Sequence, residues 1–296
     1  MPYCAFLTMD SLEEFEVYDE LLIEPLANLG WSVDMVSWRD QNVNWDQYEA
    51  VIIRSPWDYQ QDVSKFMQVL KTIDDSTAQL ENPFSLVKWN IDKIYLRELE
   101  EQGILTVPTL WGVQLKKDEL LDAFDKLDTG ELVIKPTISA NADDTFRIKP
   151  EIDLETMDEI LKTFKTRAYM IQPFMEKIVT EGEYSLFYFG GEYSHTILKT
   201  PKKNDYRVQE EHGGVLASVE PEDQLLNRAR QTMQQVRPEP LYARADYVRN
   251  DKDDFALMEL ELIEPSLYFN MDPDSPKRFA RIFDRWMEKN KKEPVE

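Results

Sequence analysis

The stretch Ala256-Leu-Met-Glu-Leu-Glu-Leu-Ile-Glu-Pro-Ser266 constrains the fold of this chain more than any other. Successive side chains of a strand point to opposite faces, so Glu259 and Glu261 share one face while Met258, Leu260 and Leu262 share the other. The apolar set requires a core behind the strand. The acidic set requires positive charge in front of it, because two neighbouring carboxylates repel. With no histidine or cysteine nearby, an oxygen-only donor set points to a hard cation such as Mg²⁺. Tyr242-Ala-Arg-Ala-Asp-Tyr247 reads as the partner strand of a hairpin, on which Asp246 can complete the donor set and Arg244 places a fixed cation beside it. A Glu-x-Glu pair also occurs on the solvated face of edge strands. The continuation into Glu264-Pro-Ser266 and the neighbouring Arg244 favour a site handling phosphate and metal together.

A net charge of −23 argues against nucleic acid and anionic membranes as partners, since both are held largely by Lys and Arg. A polyphosphate would have to be met by a few placed cations, and a basic run stands at Lys199-Thr-Pro-Lys202-Lys203. Neither a P-loop nor a G-x-G-x-x-G fingerprint is present. Cys4 is the only cysteine, which excludes an intramolecular disulfide and a cysteine-based zinc cluster. It is expected to pack as a small apolar residue. His195 and His212 lie too far apart to form a local metal pair and are expected to serve packing or hydrogen bonding. No apolar run approaches the roughly 18 residues of a membrane span, and the start lacks a basic segment followed by an apolar one, so a cytoplasmic location is expected.

At 296 residues the chain has room for one large or two to three smaller domains. Tyr3–Thr8 reads as a strand, Val17–Leu29 as an amphipathic helix that Pro25 kinks or restarts, and Trp31–Ser37 and Ala50–Arg54 as further strands, a β-α-β opening with a mostly parallel sheet. Ligands bind beyond the carboxyl ends of such strands. Arg54-Ser-Pro-Trp57-Asp-Tyr59 falls at one, where it reads equally as a holder of a small polar substrate or as a plain capped turn. A second unit begins near Asn82-Pro83, with a helix from Asn90 through Gln102, another near Lys117–Leu127, and the strand Leu132-Val-Ile-Lys135-Pro. A lysine closing a buried apolar strand should reach an anion. From Ala168 the chain becomes strand-rich, with Gly190-Gly191 joining two alternating runs as a hairpin. Helices at Asp223–Val236 and Pro276–Lys289 complete this lobe.

Taken in order, these pieces resemble the ATP-grasp superfamily, in particular members with a glutathione-synthetase-like ATP-binding fold, over roughly Asn82 to Ser275. In that family, lysines equivalent to Lys93 and Lys135 contact the nucleotide phosphates. Tyr169-Met-Ile-Gln172-Pro-Phe174-Met175 resembles the adenine-binding hinge, and Glu183 stands where the family has its ribose-binding acid. Lys199 and Arg207, with Gln209 and Gly213-Gly214 following, resemble the cationic segment that meets phosphate and substrate; Arg244 resembles the late arginine, and Asp246, Glu259 and Glu261 the metal ligands. The family often has Glu-x-Asn where this chain has Glu259-x-Glu261, and a glycine-rich loop where this chain has the glycine-free Thr137-Ile-Ser-Ala-Asn-Ala-Asp-Asp144. Arg54-Ser-Pro-Trp-Asp-Tyr, Leu198-Lys-Thr-Pro-Lys and Glu259-Leu-Glu-Leu-Ile-Glu-Pro-Ser-Leu-Tyr-Phe269 are most like the subgroup that includes the cycloserine-forming cyclo-ligase.

The resemblance implies an α/β ATP-grasp fold preceded by a parallel-sheet domain. The units would span 1–85 (substrate domain), 86–167 (N-lobe) and 168–296 (C-lobe with the metal site). It implies an ADP-forming ligase using ATP and Mg²⁺, with Mn²⁺ as the alternative metal. A carboxylate takes the γ-phosphoryl group and an amine displaces phosphate, with catalysis by positioning and electrostatics rather than by a protein nucleophile. Lys199, Arg207 and Arg244 would stabilise the developing charge. Arg54, Trp57, Tyr59 and Ser266 would meet a small amino-acid-like substrate. A homodimer stays open, as do two rival activities, a small-molecule kinase and a non-catalytic nucleotide-binding regulator.

Overall fold

Parallel strands open the chain in the computed structural model, which describes residues 2–13, 15–139, 143–203 and 205–290. The order is β1 (Tyr3–Thr8), α1 (Ile23–Ala27), β2 (Ser32–Ser37), β3 (Ala50–Ser55), α2 (Val63–Asp74) and β4 (Gln79–Glu81), with strands arranged β2-β1-β3-β4. β1 and β3 are covered on both faces, as their unbroken apolar runs require. Cys4 is buried in β1 as expected. The helix expected over Val17–Leu29 is shorter: a 3₁₀ turn at Asp19–Leu22 leads into α1, because Pro25 has no N–H to continue an α-helical ladder backwards.

The next segment places α3 (Phe84–Asn90) and α4 (Tyr95–Glu101) ahead of β5 (Leu110–Val113), α5 (Lys117–Lys126), β6 (Leu132–Pro136), β7 (Phe146–Ile148), α6 (Leu154–Thr163) and β8 (Ala168–Pro173). Their sheet is antiparallel, in the order β5-β8-β6-β7. This corrects the expected boundary at 167/168: β8 pairs with both β5 and β6, so it closes the second sheet rather than opening the third. The glycine-free loop follows β6, and its centre, 140–142, lies outside the described residues.

The last part comprises α7 (Lys177–Thr180), β9 (Glu183–Phe189), β10 (Glu192–Thr200), β11 (Val215–Ser218), α8 (Asp223–Gln235), β12 (Tyr242–Arg249), β13 (Phe255–Glu261) and α9 (Ser275–Lys289). The sheet runs β11-β10-β9-β12-β13, all antiparallel. Gly190 and Gly191 turn the β9–β10 hairpin with φ of 52° and 75°, and a Cβ on Gly190 would come within 2.8 Å of Ile282. One expected face assignment is wrong. Asp246 opposes Glu259 but Tyr247 opposes Leu257, so Met258 is the extra residue of a bulge. Met258 therefore joins the acids on the cleft side, while Leu257, Leu260 and Leu262 face the core formed with α4 and α8.

β13 ends the sheet, yet its outer edge is satisfied by side chains and a short backbone contact. Asn90 donates from Nδ2 to the Leu260 carbonyl (2.8 Å) and accepts from the Leu262 N–H (2.9 Å), and the Tyr95 hydroxyl accepts from the Leu260 N–H (2.9 Å). Asn82 Nδ2 donates to the carbonyls of Leu262 (2.7 Å) and Tyr242 (2.9 Å). Leu257 exchanges backbone hydrogen bonds with Leu105 and Val107.

The three sheets are not independent. Phe6 and Ile52 of the first sheet share one core with Phe187 and Phe189 of β9 and Phe279 and Phe283 of α9. Indole N–H groups tie the helix down: Trp286 donates to Glu81 and Trp31 to Asp284, each at 2.9 Å. Arg54, expected to contact substrate, is instead fully buried in this junction. Its Nε and Nη2 donate to Asp19 Oδ1 (2.9 and 2.7 Å), and Nη2 also donates to the Pro265 carbonyl (3.1 Å). The strand end does face the cleft, but Asp19 has claimed the cation.

Two outcomes follow from these contacts. Arg54→Ala leaves Asp19 buried without its counter-ion and is expected to lower unfolding free energy by about 3–5 kcal/mol, read by urea denaturation. Glu81, 3% exposed, is pushed by burial from 4.5 to about 7, against hydrogen bonds from Gln79 and Trp286. The fold therefore holds a proton there that the unfolded chain releases. The resulting stability is complete below about pH 4.5 and lost as pH rises through about 7. Glu81→Gln is expected to flatten this decline, worth on the order of 1–3 kcal/mol, in denaturation midpoints compared at acidic and neutral pH.

Candidate functional site

A cleft of about 250 Å³ lies between the second and third sheets and reaches the carboxyl end of β3. At one end its lining is apolar: Val133 of β6, Phe174 and Met175 after β8, Ile178 of α7, and Met258 at the bulge. Gln172 is buried in the hinge strand, donating from Nε2 to Thr109 Oγ1 (3.0 Å). The Phe174 N–H is fixed by the Glu131 carbonyl at 2.8 Å. Arg147 of β7 lies 3.5 Å above the Phe174 ring, with Glu131 holding its guanidinium through two hydrogen bonds.

The middle of the cleft is a lattice of alternating charge. Lys199 pairs with Glu183 and lies 3.5 Å from Asp246. Arg244 binds Asp246 (3.0 Å) and Glu261, and its Nη1 donates to the Ser266 carbonyl (3.3 Å). Lys93 binds Glu259 (3.1 Å) and the Ser139 carbonyl (2.8 Å). Burial opposes charge on all these groups, and the partners decide the outcome. Arg244 and Lys199 overcome it at Asp246, and Lys93 and Lys135 at Glu259, so both acids are held below the usual range. At Glu261 burial wins: Arg244 is shared with Asp246, and Glu259 and Asp246 repel the charge further, so the carboxyl is driven upward. Lys135 forms no ion pair among the described residues, and burial lowers its pKa.

At the far end the wall is aromatic. Trp57 Nε1 donates to the Glu264 carbonyl (2.9 Å), Tyr59 lines the same wall, and Phe15 packs on Trp57 with ring centroids 5.4 Å apart. Glu264 is pushed up to about 7 by burial. Ser266 and Tyr268 also line this end. Arg207 stands at the mouth, paired with Asp205 at 2.9 Å.

The residues expected to form a site thus converge, Arg54 excepted. Asp246 and Glu259 oppose each other across the β12–β13 ladder and Glu261 follows on the same face. An all-carboxylate set of this kind, with oxygen donors only, has the donor chemistry for Mg²⁺ or Mn²⁺. Each acid is engaged by a basic side chain, and among the described residues no three acids, histidines or cysteines are gathered as a metal cage. Metal loading therefore means exchanging ion pairs for metal contacts. Sequence reasoning missed Arg147 and Phe15, which carry no motif, and left Glu264 without a role although it stood in the acidic stretch. His195 behaves as expected, stacked on Phe187 at 4.3 Å.

Comparison with known proteins agrees with this geometry. Residues 4–82 match the family described as the N-terminal domain of D-cycloserine synthetase DcsG, and residues 92–244 match the ATP-grasp domain of prokaryotic glutathione synthetase. The cycloserine biosynthesis protein DcsG of Streptomyces lavendulae is 30% identical over 275 residues, covering 88% of this chain and 90% of that protein. The crystal structure of D-cycloserine synthetase DcsG superposes with a TM-score of 0.85 at 24% identity, covering 96% of this chain and 99% of that one. The D-alanine–D-alanine ligase of Bacillus anthracis gives 0.67 at 14% identity over 98% of both chains. A RiPP-associated ATP-grasp ligase of Chryseobacterium gregarium gives 0.68 at 11% over the whole of both. No helix among the described residues is long and apolar enough to cross a membrane. The chain belongs to the ATP-grasp family, as an ADP-forming ligase that activates a carboxylate with ATP for attack by an amine.

Proposed function

We propose that the carboxylate is that of a small amino-acid derivative, that the nucleotide lies along the apolar end of the cleft with its phosphates toward Lys93 and Lys135, and that the reaction takes place in the cytoplasm, where ATP is abundant. The observation that carries the reading is Lys135, a half-buried cation on the cleft wall with no ion-pair partner among the described residues. An ammonium kept there at a desolvation cost is suited to an anion brought from outside. The relative of known name supports the substrate class, because cycloserine is itself an amino-acid derivative.

In this reading a substrate carboxylate oxygen attacks the γ-phosphorus, the bond to the β-phosphate oxygen breaks, and ADP and an acylphosphate result. The amine nitrogen then attacks the carbonyl carbon, the carbon–oxygen bond to phosphate breaks, and the nitrogen gives up a proton. Lys93 and Lys135 hold phosphate oxygens on one side of the cleft, Arg244 and Lys199 offset the charge that spreads over the transferring group, and Arg207 guards the mouth. Asp246, Glu259 and Glu261 would hold a divalent ion, which supplies charge neutralisation between the phosphates. Gln172 would meet the base of the nucleotide and Glu183 its ribose hydroxyls, the latter by exchanging its pairing with Lys199.

Lys135→Ala is expected to weaken Mg·ATP binding by about 10–100-fold in calorimetry, with the fold intact by circular dichroism. Equal affinity in wild type and variant sinks the assignment of Lys135. ADP release screened over amino acids and their derivatives, with hydroxylamine supplied as a general acceptor, tests the activity: hydroxamate should accumulate with the matching acid. With that substrate, Glu261→Gln is expected to need at least about 10-fold more Mg²⁺ for half-maximal rate. An unchanged Mg²⁺ dependence would remove Glu261 from the metal set.

A further inference from the structure

Glu264 is an acid of the cleft wall whose chemistry the activity does not use. The carboxylates on its strands, Glu183, Asp246, Glu259 and Glu261, each hold a lysine or arginine. Glu264, beyond the end of β13, holds none among the described residues. Lys93, the basic side chain acting on it most, is committed to Glu259 and to the Ser139 carbonyl. Glu264 is not a loose surface acid. It lines the cleft together with Tyr59, and has its own carbonyl pinned by the Trp57 indole, which Phe15 backs.

We propose that Glu264, framed by Trp57 and Tyr59, is the subsite that receives the ammonium group of the substrate. This rests on the ligase reading above and adds to it the requirement that the substrate enter with a free, charged amine. A carboxylate removed from water needs a counter-ion, and among the described residues no basic side chain is paired with Glu264. Aromatic walls beside a carboxylate form a box that favours an organic cation over a hydrated metal ion, since the ring faces attract positive charge and tolerate apolar stems. The placement is consistent with the reaction. Ser266, whose carbonyl Arg244 holds, stands close in the chain, so an ammonium at Glu264 directs the rest of a small zwitterion toward the cations of the central lattice. Glu264 and Lys135 thereby become complementary: among the described residues neither has an ion-pair partner, and they line the same cleft with opposite signs.

The test is saturation-transfer NMR on the full chain loaded with Mg·AMP-PNP. The probes are D- and L-serine, D- and L-glycerate, which carry a hydroxyl in place of the ammonium, and methylammonium as competitor at constant ionic strength. At least one serine enantiomer should bind, both glycerates should bind at least about 10-fold more weakly, and methylammonium should displace serine. Glu264→Gln should weaken serine by about 10-fold or more, and Tyr59→Phe, which keeps the ring and removes only the hydroxyl, should weaken it in the same direction. Glycerate binding as well as serine, serine affinity in Glu264→Gln within about twofold of wild type, or no serine binding by protein that binds Mg·ATP overturns the subsite. Failure of wild-type protein to bind Mg·ATP would instead overturn the ligase reading, so the two failures are told apart by one titration.

Discussion

Arg244 is the group on which the charge balance of the cleft depends. One guanidinium serves two carboxylates from adjacent strands and a carbonyl beyond them, so the spacing of β12, β13 and the segment at Ser266 is set together. Such a planar donor is suited to this, where a lysine would satisfy one acid and leave another. Lys199 and Lys93 extend the pattern to Glu183 and Glu259. The resulting lattice brings little net stability, because each charge forfeits hydration. Its value lies in holding acids and cations that would otherwise repel or scatter within reach of a polyphosphate, and in doing so before any ligand arrives.

That lattice could not be held by an edge strand left to itself. β13 carries two of the acids and has no further strand beyond it. Asn82, Asn90 and Tyr95 take the place of a neighbouring strand, donating to and accepting from its backbone with side-chain atoms. The bulge at Met258 is tied to the same strand: it turns a thioether into the cleft just before the first acid, so an adaptable apolar surface adjoins the charged region.

Much of this was legible in the sequence because it follows from periodicity. Alternation along 256–262 places Glu259 and Glu261 together, and the apolar run before Lys135 places that lysine at a strand end. Where a residue's role is decided by a distant partner, sequence is silent. Arg54 sits at the strand end expected of a substrate contact, and only the fold shows that Asp19 reaches it. Asn90 reads as a helix opener, and its real partners are backbone groups of residues 260 and 262. The bulge shifts one side chain to the opposite face without any glycine to announce it. β8 joins the second sheet since its antiparallel neighbours lie on either side of it in space, a relation composition does not encode.

The sharing of one core by Phe6 and Ile52 with Phe279 and Phe283 has a consequence for how the protein comes into being. β1 and β3 leave the ribosome long before α9 exists, so one face of the first sheet has no cover until α9 is translated. The N-terminal sheet cannot mature as a free-standing unit in the order of synthesis, as an autonomous leading domain would. Its apolar face is sealed by α9, a helix made long after it, and the nascent chain must stay soluble with that face open until α9 docks.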